Sequence, residues 1–523
     1  WCVEFPEVFA ANKGFDVMCG NPPWDKLQME EEKWFAGKDE DIVKAANQAE
    51  RKEKIAKLQT SAPKLYEEFT TACNALTSQS NFVKNSGRFP LTAVGKLELS
   101  SLFAELCLSF SKEAWGLVMP TGIAVNDSNK YFFSKLIDEN RLVSLYDFEN
   151  REKLFEIDSR FKFCLITAGK AQTESRIVSG GFYLTRIDHL LDPRRIYTLR
   201  TDDFARFNPN TKLCPVFRTA KDANLTAKIY RNAPILINDE TNENPWGIRF
   251  MMMFNMASAS SLFYTRKQLD KMGGKLQGYS YSVDNDIYVP LYEGKMFWHY
   301  NHHYAEFPNE YEVQKRPSSI NSTSIRTLAD SKSYIMPWYW VKKSLIDERL
   351  TEKDRNGNVR WQWKHSYYIA FRDVTNATNE RTCVATLMPS GNAAGHKAPL
   401  VFTSRSLIPS ACFAAMLSSL VFDYVARQKV GGSSMALFIM KQQPVLTPDQ
   451  IPSTMQWQIV KRVAELCYFN HDMDGWASEL WEEMSEEQRS ELPQFGAHQP
   501  WVYNPERRAV LQAELDAIFA HLY

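Results

Sequence analysis

The sequence predicts an α/β fold that passes into a mixed α+β region and ends in helices. Three observations predict this. Between residues 14 and 169, short apolar runs alternate with segments of helical periodicity, the rhythm of a sheet covered by helices. From about residue 185, Pro, Asn, Asp and aromatic residues become frequent, and the pattern breaks into short strands and irregular loops. From about residue 451 it turns helical again, through "MQWQIVKRVAELCYF" and "PERRAVLQAELDAIFAHLY", with Pro505 as a first-turn proline. These shifts divide the chain at 1–184, 185–450 and 451–523, and 523 residues are too many for one ordinary core.

The elements follow in order. "GFDVMCG", 14–20, reads as a short buried strand. Residues 28–60 are charged, Ala-rich and nearly free of breakers, which predicts a solvated helical excursion interrupted at Gly37, part of a charged insertion over about 28–80. Residues 91–114 carry apolar positions at helical spacing, and "WGLVMPTGI", 115–123, is a buried strand stopped by Pro120. A helix at 130–140 precedes strands at 141–150 and 160–169. About ten residues without a helical pattern join those two strands, which predicts an antiparallel hairpin. Farther on, "RNGNVRW", 355–361, is a hairpin tip, and 408–430 reads as one long helix with an apolar stripe.

Composition narrows the function. The formal net charge is zero and the pI about 7.2, which argues against a surface that binds nucleic acid all over but leaves room for a local basic cleft. Nine cysteines without a CxxC pair fit reduced thiols in a cytoplasmic protein. No apolar run reaches the eighteen or so residues a membrane span needs. The chain opens on Trp1 with no signal segment, so it is read as processed or as a piece of a longer one.

The chemistry concentrates in "NPPW". Pro22 and Pro23 fix φ and remove two N–H groups, so the strand ending at Gly20 must turn out of the sheet rigidly. That is the end of a strand at which open α/β sheets place ligands. The turn offers the Asn21 side-chain oxygen and the Pro22 carbonyl as two acceptors, with Trp24 as a flat wall. Two convergent acceptors suit an exocyclic amine, whose lone pair they would turn toward an electrophile, and the indole suits a stacked base.

"FDVMCGNPPWD" resembles the catalytic motif of S-adenosylmethionine-dependent amino-methyltransferases, above all the adenine-N6 DNA methyltransferases. "RLVSLYDFENREKLFEIDSRFKFCLI" resembles the later strands of the large methylases in type IIG restriction–modification enzymes and PglX-like phage-defence systems. "NPWGIRFMMMFNMAS", "VPLYEGKMFWHYNHHYAEF", "FRDVTNATNERTCVATLMP" and "GGSSMALFIMKQQPVL" resemble blocks of their target-recognition region. The resemblance implies a partial Rossmann-like methyltransferase sheet, then a target-recognition domain, then a helical region. It implies double-stranded DNA as partner, with other defence subunits alongside, and transfer of methyl to the amine of a flipped adenine. Asn21 and Pro22 would hold the amine, Pro23 would shape the turn and Trp24 would stack on the base. The family more often has Tyr or Phe in that last place. Phe155, then Phe161, would close the other face of the base; core packing is the other reading of Phe161. Arg160 and Lys162 would reach phosphate or stand as strand-edge charges, and Asn379 and Arg381 of "TNERT" would lie in the recognition region.

The family also needs a glycine-rich strand–turn–helix for S-adenosylmethionine, placed ahead of the Asn-Pro-Pro motif. "WCVEFPEVFAANKGFDVMC" holds none, so the chain resembles the C-terminal half of a methylase, expected to bind cofactor poorly and to be inactive alone. No nuclease motif is evident; a fused nuclease would be expected upstream. Two other readings compete. One is a non-catalytic DNA-recognition fragment. The other is a methyltransferase for RNA or for a protein glutamine. "FWHYNHHY" brings His299, His302 and His303 together, but with no Cys or acidic partner in view no metal is expected, and the residues read as packing or DNA-contact groups. "VGGSSM", 430–435, is a phosphate cradle or a turn after a helix, and 342–365 is a groove reader or a solvated hairpin.

Overall fold

The computed structural model describes residues 1–45, 47–430 and 432–523, apart from the side chains of Ala11 and Asn12. Its fold is mixed α/β, with several sheets and a helical C-terminal part, and it divides into two compact units, Trp1–Tyr230 and Arg231–Tyr523.

Six segments of the first unit pair into one sheet: β1 (Phe15–Gly20), β2 (Ser111–Pro120), β3 (Leu142–Glu149), β4 (Lys162–Gly169), β5 (Ile177–Leu184) and β6 (Tyr197–Arg200). The strand order is β1-β2-β4-β3-β5-β6. β1 runs parallel to β2 and β3 parallel to β5, while β4 runs against both β2 and β3. The expected hairpin is therefore β3–β4, in a register that sets Glu149 opposite Lys162. β6 adds to β5, so the first unit continues past residue 184.

The expectation of a buried first strand is corrected. β1 is the edge of the sheet, and only Phe15 and Met18 are even half-buried; Val17 is 63% exposed. Its apolar run read as interior because single-strand patterns do not reveal sheet order. β2 also begins earlier than expected, directly at the end of the helix before it.

Helix α1 (Pro6–Asn12) leads into β1. The charged stretch after it folds as α2 (Glu31–Phe35), α3 (Glu40–Val43), α4 (Gln48–Ser61) and α5 (Pro63–Asn85). Gly37, at φ +75°, makes the break between α2 and α3 that its position predicted. These helices bury a small core of their own, Phe35, Ile42, Ile55, Leu58 and Phe69. Their two ends meet in a short antiparallel clamp: Lys26 bridges Glu98, the Leu27 N–H donates to the Leu97 carbonyl at 2.9 Å, and Leu99 N–H donates to the Asp25 carbonyl at 3.0 Å. α6 (Leu99–Phe110) follows, and buried Glu105 in its middle accepts from the backbone N–H groups of Leu91 and Thr92 and from the Thr92 hydroxyl. α7 (Gly122–Val125) and α8 (Lys130–Asp138) cross from β2 to β3.

The second unit holds two larger sheets. One pairs Ala385–Pro389, Tyr367–Phe371, Leu400–Phe402 and Arg249–Met251, all antiparallel. The other pairs Trp340–Lys342, Asp286–Tyr292, Ser280–Val283 and Lys275–Gln277, with Ala393–Ala394 joining Asp286–Tyr292 in parallel. Helices Leu407–Leu417, Ser453–Cys467, Asp474–Glu483 and Pro505–Leu522 share one core with the first of these sheets, so the helical tail belongs to this unit. The single long helix expected at 408–430 is two, Leu407–Leu417 and Leu420–Lys429, bent by 55°. The break falls at Ser418–Ser419, where the Ser419 hydroxyl accepts the Phe422 N–H and caps a new helix. The hairpin at 355–361 forms, with Thr351–Lys353 against Val359–Gln362 and Gly357 at φ +84°. Among the described residues no single helix is long and apolar enough to cross a membrane; the bent pair passes by length and composition, and it is mostly buried in this core.

Because α2–α5 carry their own core, Phe35→Ala should cost about 3–5 kcal/mol locally. Limited proteolysis should then cut within residues 31–85 faster, while cleavage of the sheet strands stays at the parent rate.

Candidate active site

β1 delivers Asn21 to one end of the sheet. Gly20 is the last residue in register, opposite Leu117, and Pro22 and Pro23 cannot continue the ladder. Pro22 is buried, and Asn21 and Pro23 are exposed. The indole Nε1–H of Trp24 donates to the Asn21 side-chain oxygen at 2.9 Å, which fixes the amide with its oxygen turned inward over the turn. That oxygen keeps a second lone pair.

Because β4 runs antiparallel, its first residues reach the same end of the sheet as Asn21. Phe163 lies opposite both Pro120 and Phe148. Trp24 packs on this wall, stacked with Phe163 at 6.2 Å and edge-to-face with Phe155 at 5.8 Å, while Phe155 meets Phe163 edge-to-face at 4.8 Å. Of the two aromatic candidates the structure brings Phe155 to Trp24. Phe161 is 53% exposed and joins none of these ring contacts. Phe163 is the buried floor of the group.

Asn150 holds this corner together, and its importance could not be read from its neighbours in sequence. Its side chain is fully buried. Its amide N–H groups donate to the carbonyls of Phe155 and Ile157 at 2.9 and 3.1 Å, and its oxygen accepts the Phe155 N–H at 3.0 Å. Its own N–H donates to the Phe161 carbonyl at 3.0 Å. One residue therefore closes the 150–161 loop and sets Phe155 against Trp24. Beside it, Asp147 accepts the Thr121 hydroxyl at 2.6 Å and the Tyr183 N–H at 3.3 Å; burial pushes its carboxyl above the usual range.

The charged candidates separate. Arg160 is 88% exposed at the loop tip, where Asp158 holds it in a two-pronged pair; Arg160 holds the Asp158 carboxyl down to about 2. Lys162 is turned inward, paired at 3.3 Å with Glu149, which it shares with Arg151, and lies over the Tyr183 ring at 4.5 Å. In the second unit Asn379 is exposed, whereas Arg381 is 14% exposed and pairs with Asp516 at 3.3 Å. That guanidinium braces the C-terminal helix.

S-adenosylmethionine needs the glycine-rich strand–turn–helix that the resemblance places before Asn21. The segment before β1 instead runs helix–turn–strand, from α1 through Lys13 and Gly14. Gly14 is required by backbone packing, since a Cβ there would lie 2.4 Å from the Phe110 carbonyl oxygen. Residues 1–20 do not form that strand–turn–helix.

The histidine cluster departs from expectation, because it does have an acidic partner. His302 Nε2 and His303 Nε2 lie 2.9 and 2.7 Å from the two oxygens of Asp472. His299 faces elsewhere, and burial together with Arg381 and Arg508 pushes it down to about 3. Of "VGGSSM", Gly431 lies outside the described residues. The Met435 N–H donates to the Asp373 carbonyl and the Ser433 carbonyl accepts from Thr375, a turn pairing with 373–375.

No protein-family profile matches the chain, and no curated protein matches it. Restriction–modification enzymes are among the solved structures to which the chain shows similarity. One is the Type IIL enzyme MmeI in complex with DNA, at 9% identity over 99% of this chain and 55% of that one, TM-score 0.40. Another is the type IIG restriction endonuclease BpuSI, at 12% identity over 86% of this chain and 52% of that one, TM-score 0.27. A nuclease-deletion mutant of the Type ISP enzyme LlaGI, with a DNA substrate mimic, matches at 12% identity over 86% of this chain and 35% of that one, TM-score 0.36. The chain spans about half the length of the first two, or 55% and 52%.

Asn150→Ala should release the 150–161 loop at a cost of roughly 1–3 kcal/mol for the unpaired buried groups. Amide hydrogen exchange at 151–161 should speed up markedly, while exchange in β3 and β4 is unchanged.

Proposed function

We propose that this chain carries the amine-orienting part of an adenine-N6 DNA methyltransferase from a restriction–modification or phage-defence system. The observation that carries the reading is the Asn21 amide, held by the Trp24 indole beside the Phe155–Phe163 corner at the end of a parallel strand. An aromatic amine is a weak nucleophile because its lone pair is delocalised into the ring. The Asn21 oxygen and the Pro22 carbonyl accept its two N–H bonds and favour a more tetrahedral nitrogen. Acceptors fixed before the base arrives need no reorganisation during reaction. Trp24 keeps the base planar against the turn, and its N–H holds the Asn21 amide from flipping. The base enters this corner only after leaving the duplex. S-adenosylmethionine supplies the methyl group in this reaction class.

The second reading is a DNA-recognition chain that does not itself transfer methyl. The two separate in one experiment. The full-length gene product is incubated with duplex DNA and methyl-labelled S-adenosylmethionine, and modified bases are mapped by mass spectrometry. N6-methyladenine at a defined site supports the proposal; labelled DNA without it, or no label at all, removes it. In that assay Asn21→Ala should lower methyl transfer by about two to three orders of magnitude and leave site binding nearly intact. Trp24→Phe, which retains a stacking ring and loses the indole N–H, should fall between Asn21→Ala and the parent. Equal loss of binding in Asn21→Ala would make Asn21 structural.

A further inference from the structure

The second unit gathers a set of side chains that the proposed chemistry does not use. His302, His303 and Asp472 present three donor atoms within 4.8 Å of one another. Their side chains are 0%, 2% and 1% exposed. Two imidazoles on consecutive residues would normally diverge. Here the chain is in a tight turn: Trp298 and Asn301 exchange backbone hydrogen bonds at 2.7 and 3.0 Å, Tyr300 sits at φ +54°, and the Asn301 side chain accepts the His303 N–H at 2.9 Å. Both rings emerge on one side, 4.5 Å apart, and both pack against Phe469.

Asp472 arrives from a segment 170 residues from His302 and is equally fixed. It lies in the short 3-10 turn His471–Met473, capped by Asn470, whose side chain also ties the turn to the Ser333 carbonyl at 2.9 Å. His471 N–H donates to the Ser331 carbonyl at 3.0 Å.

From this geometry we infer that His302, His303 and Asp472 form a binding site for a first-row divalent transition-metal ion, with water completing its coordination. Two ligands placed at right angles about 2.1 Å from an ion stand about 3 Å apart. The nitrogen–oxygen separations of 2.9 and 2.7 Å are close to that spacing, and small rotations of the rings close the rest. Two imidazoles and one carboxylate on one face are the donor set that leaves further positions open. Asp472 borders a polar cavity of about 720 Å³, together with Gln277, Tyr334, Lys332 and Asp474; its carboxylate is 1% exposed, so an ion reaches the donor atoms by local opening of the 470–474 turn. The Asp472 carboxylate draws a proton onto each Nε2, which a bound metal would displace, while His302 Nδ1 and His303 Nδ1 have no hydrogen-bond partner. The same lack of an outer carboxylate predicts moderate affinity, since such partners typically contribute 10–100-fold. The ion would pin the 301–304 turn to the 470–474 turn, tying the strand-rich part of this unit to its helices.

The test brings the full chain to dialysis equilibrium with Zn²⁺ and, separately, Co²⁺ at known free concentrations and measures bound metal by mass spectrometry. One ion per chain is expected, with micromolar affinity and a Co²⁺ absorption band. His303→Gln and Asp472→Asn should each lower the affinity at least tenfold, and His498→Gln, at an exposed histidine, should not change it. Circular dichroism identifies a variant that fails to fold; if Asp472→Asn does, His303→Gln decides. A parent chain that binds no stoichiometric metal overturns the site. So does binding that survives His303→Gln or is lost in His498→Gln, because the ion then belongs to surface histidines.

Discussion

The candidate active site depends on one strand running the wrong way. β4 lies in the middle of the first sheet, between two strands that it opposes. In an all-parallel sheet the first residues of a strand lie at the end away from the ligand crevice. Reversal brings the beginning of β4, with Phe163, to the end where β1 delivers Asn21. The β3–β4 connection then needs only a short loop, and that loop can present Phe155 directly over Phe163. Asn150 supplies the hydrogen bonds that such a loop cannot make with a neighbouring strand, which is why a fully buried amide stands where the chain leaves β3.

Much of the first unit was legible in the sequence. The strands at 141–150 and 160–169, their antiparallel pairing, the helix at 130–140 and the break at Gly37 follow from local periodicity and turn chemistry. The rigid turn at Asn21–Trp24 follows from two prolines. What was not legible is whatever depends on partners far along the chain. β1 reads as interior from its apolar residues, and only the order of strands makes it an edge. Arg381 reads as a donor to DNA, and its carboxylate, Asp516, lies 135 residues away. The histidines at 302 and 303 read as lacking an acid for the same reason. The helix at 408–430 is a different case: its Ser-Ser pair carried a capping signal, and the apolar stripe outweighed it.

The second unit solves a problem that its short strands create. Few residues per strand leave many backbone groups without a ladder partner, and buried or half-buried carboxylates take them up. Asp423 accepts the N–H groups of Thr382 and Cys383, Glu479 accepts Ser366 N–H and pairs with His365, and Glu483 accepts the first N–H groups of helix Leu407–Leu417. The first two tie a loop to a helix and the third ties two helices together. A charge-assisted bond of this kind contributes roughly 1.5–3 kcal/mol, and its direction fixes which loop meets which helix.

The clamp at 25–27 and 97–99 has a consequence for how this chain can vary. The chain leaves the sheet region and returns to it within a few ångströms, so whatever stands between is invisible to the strands. Doubling such a closed segment adds only about 0.6 kcal/mol of loop entropy. The charged helices are thus a module whose length is a free variable of the fold. Relatives can differ there by tens of residues, and a reporter domain can be grafted there, while Asn21 and Trp24 keep their places.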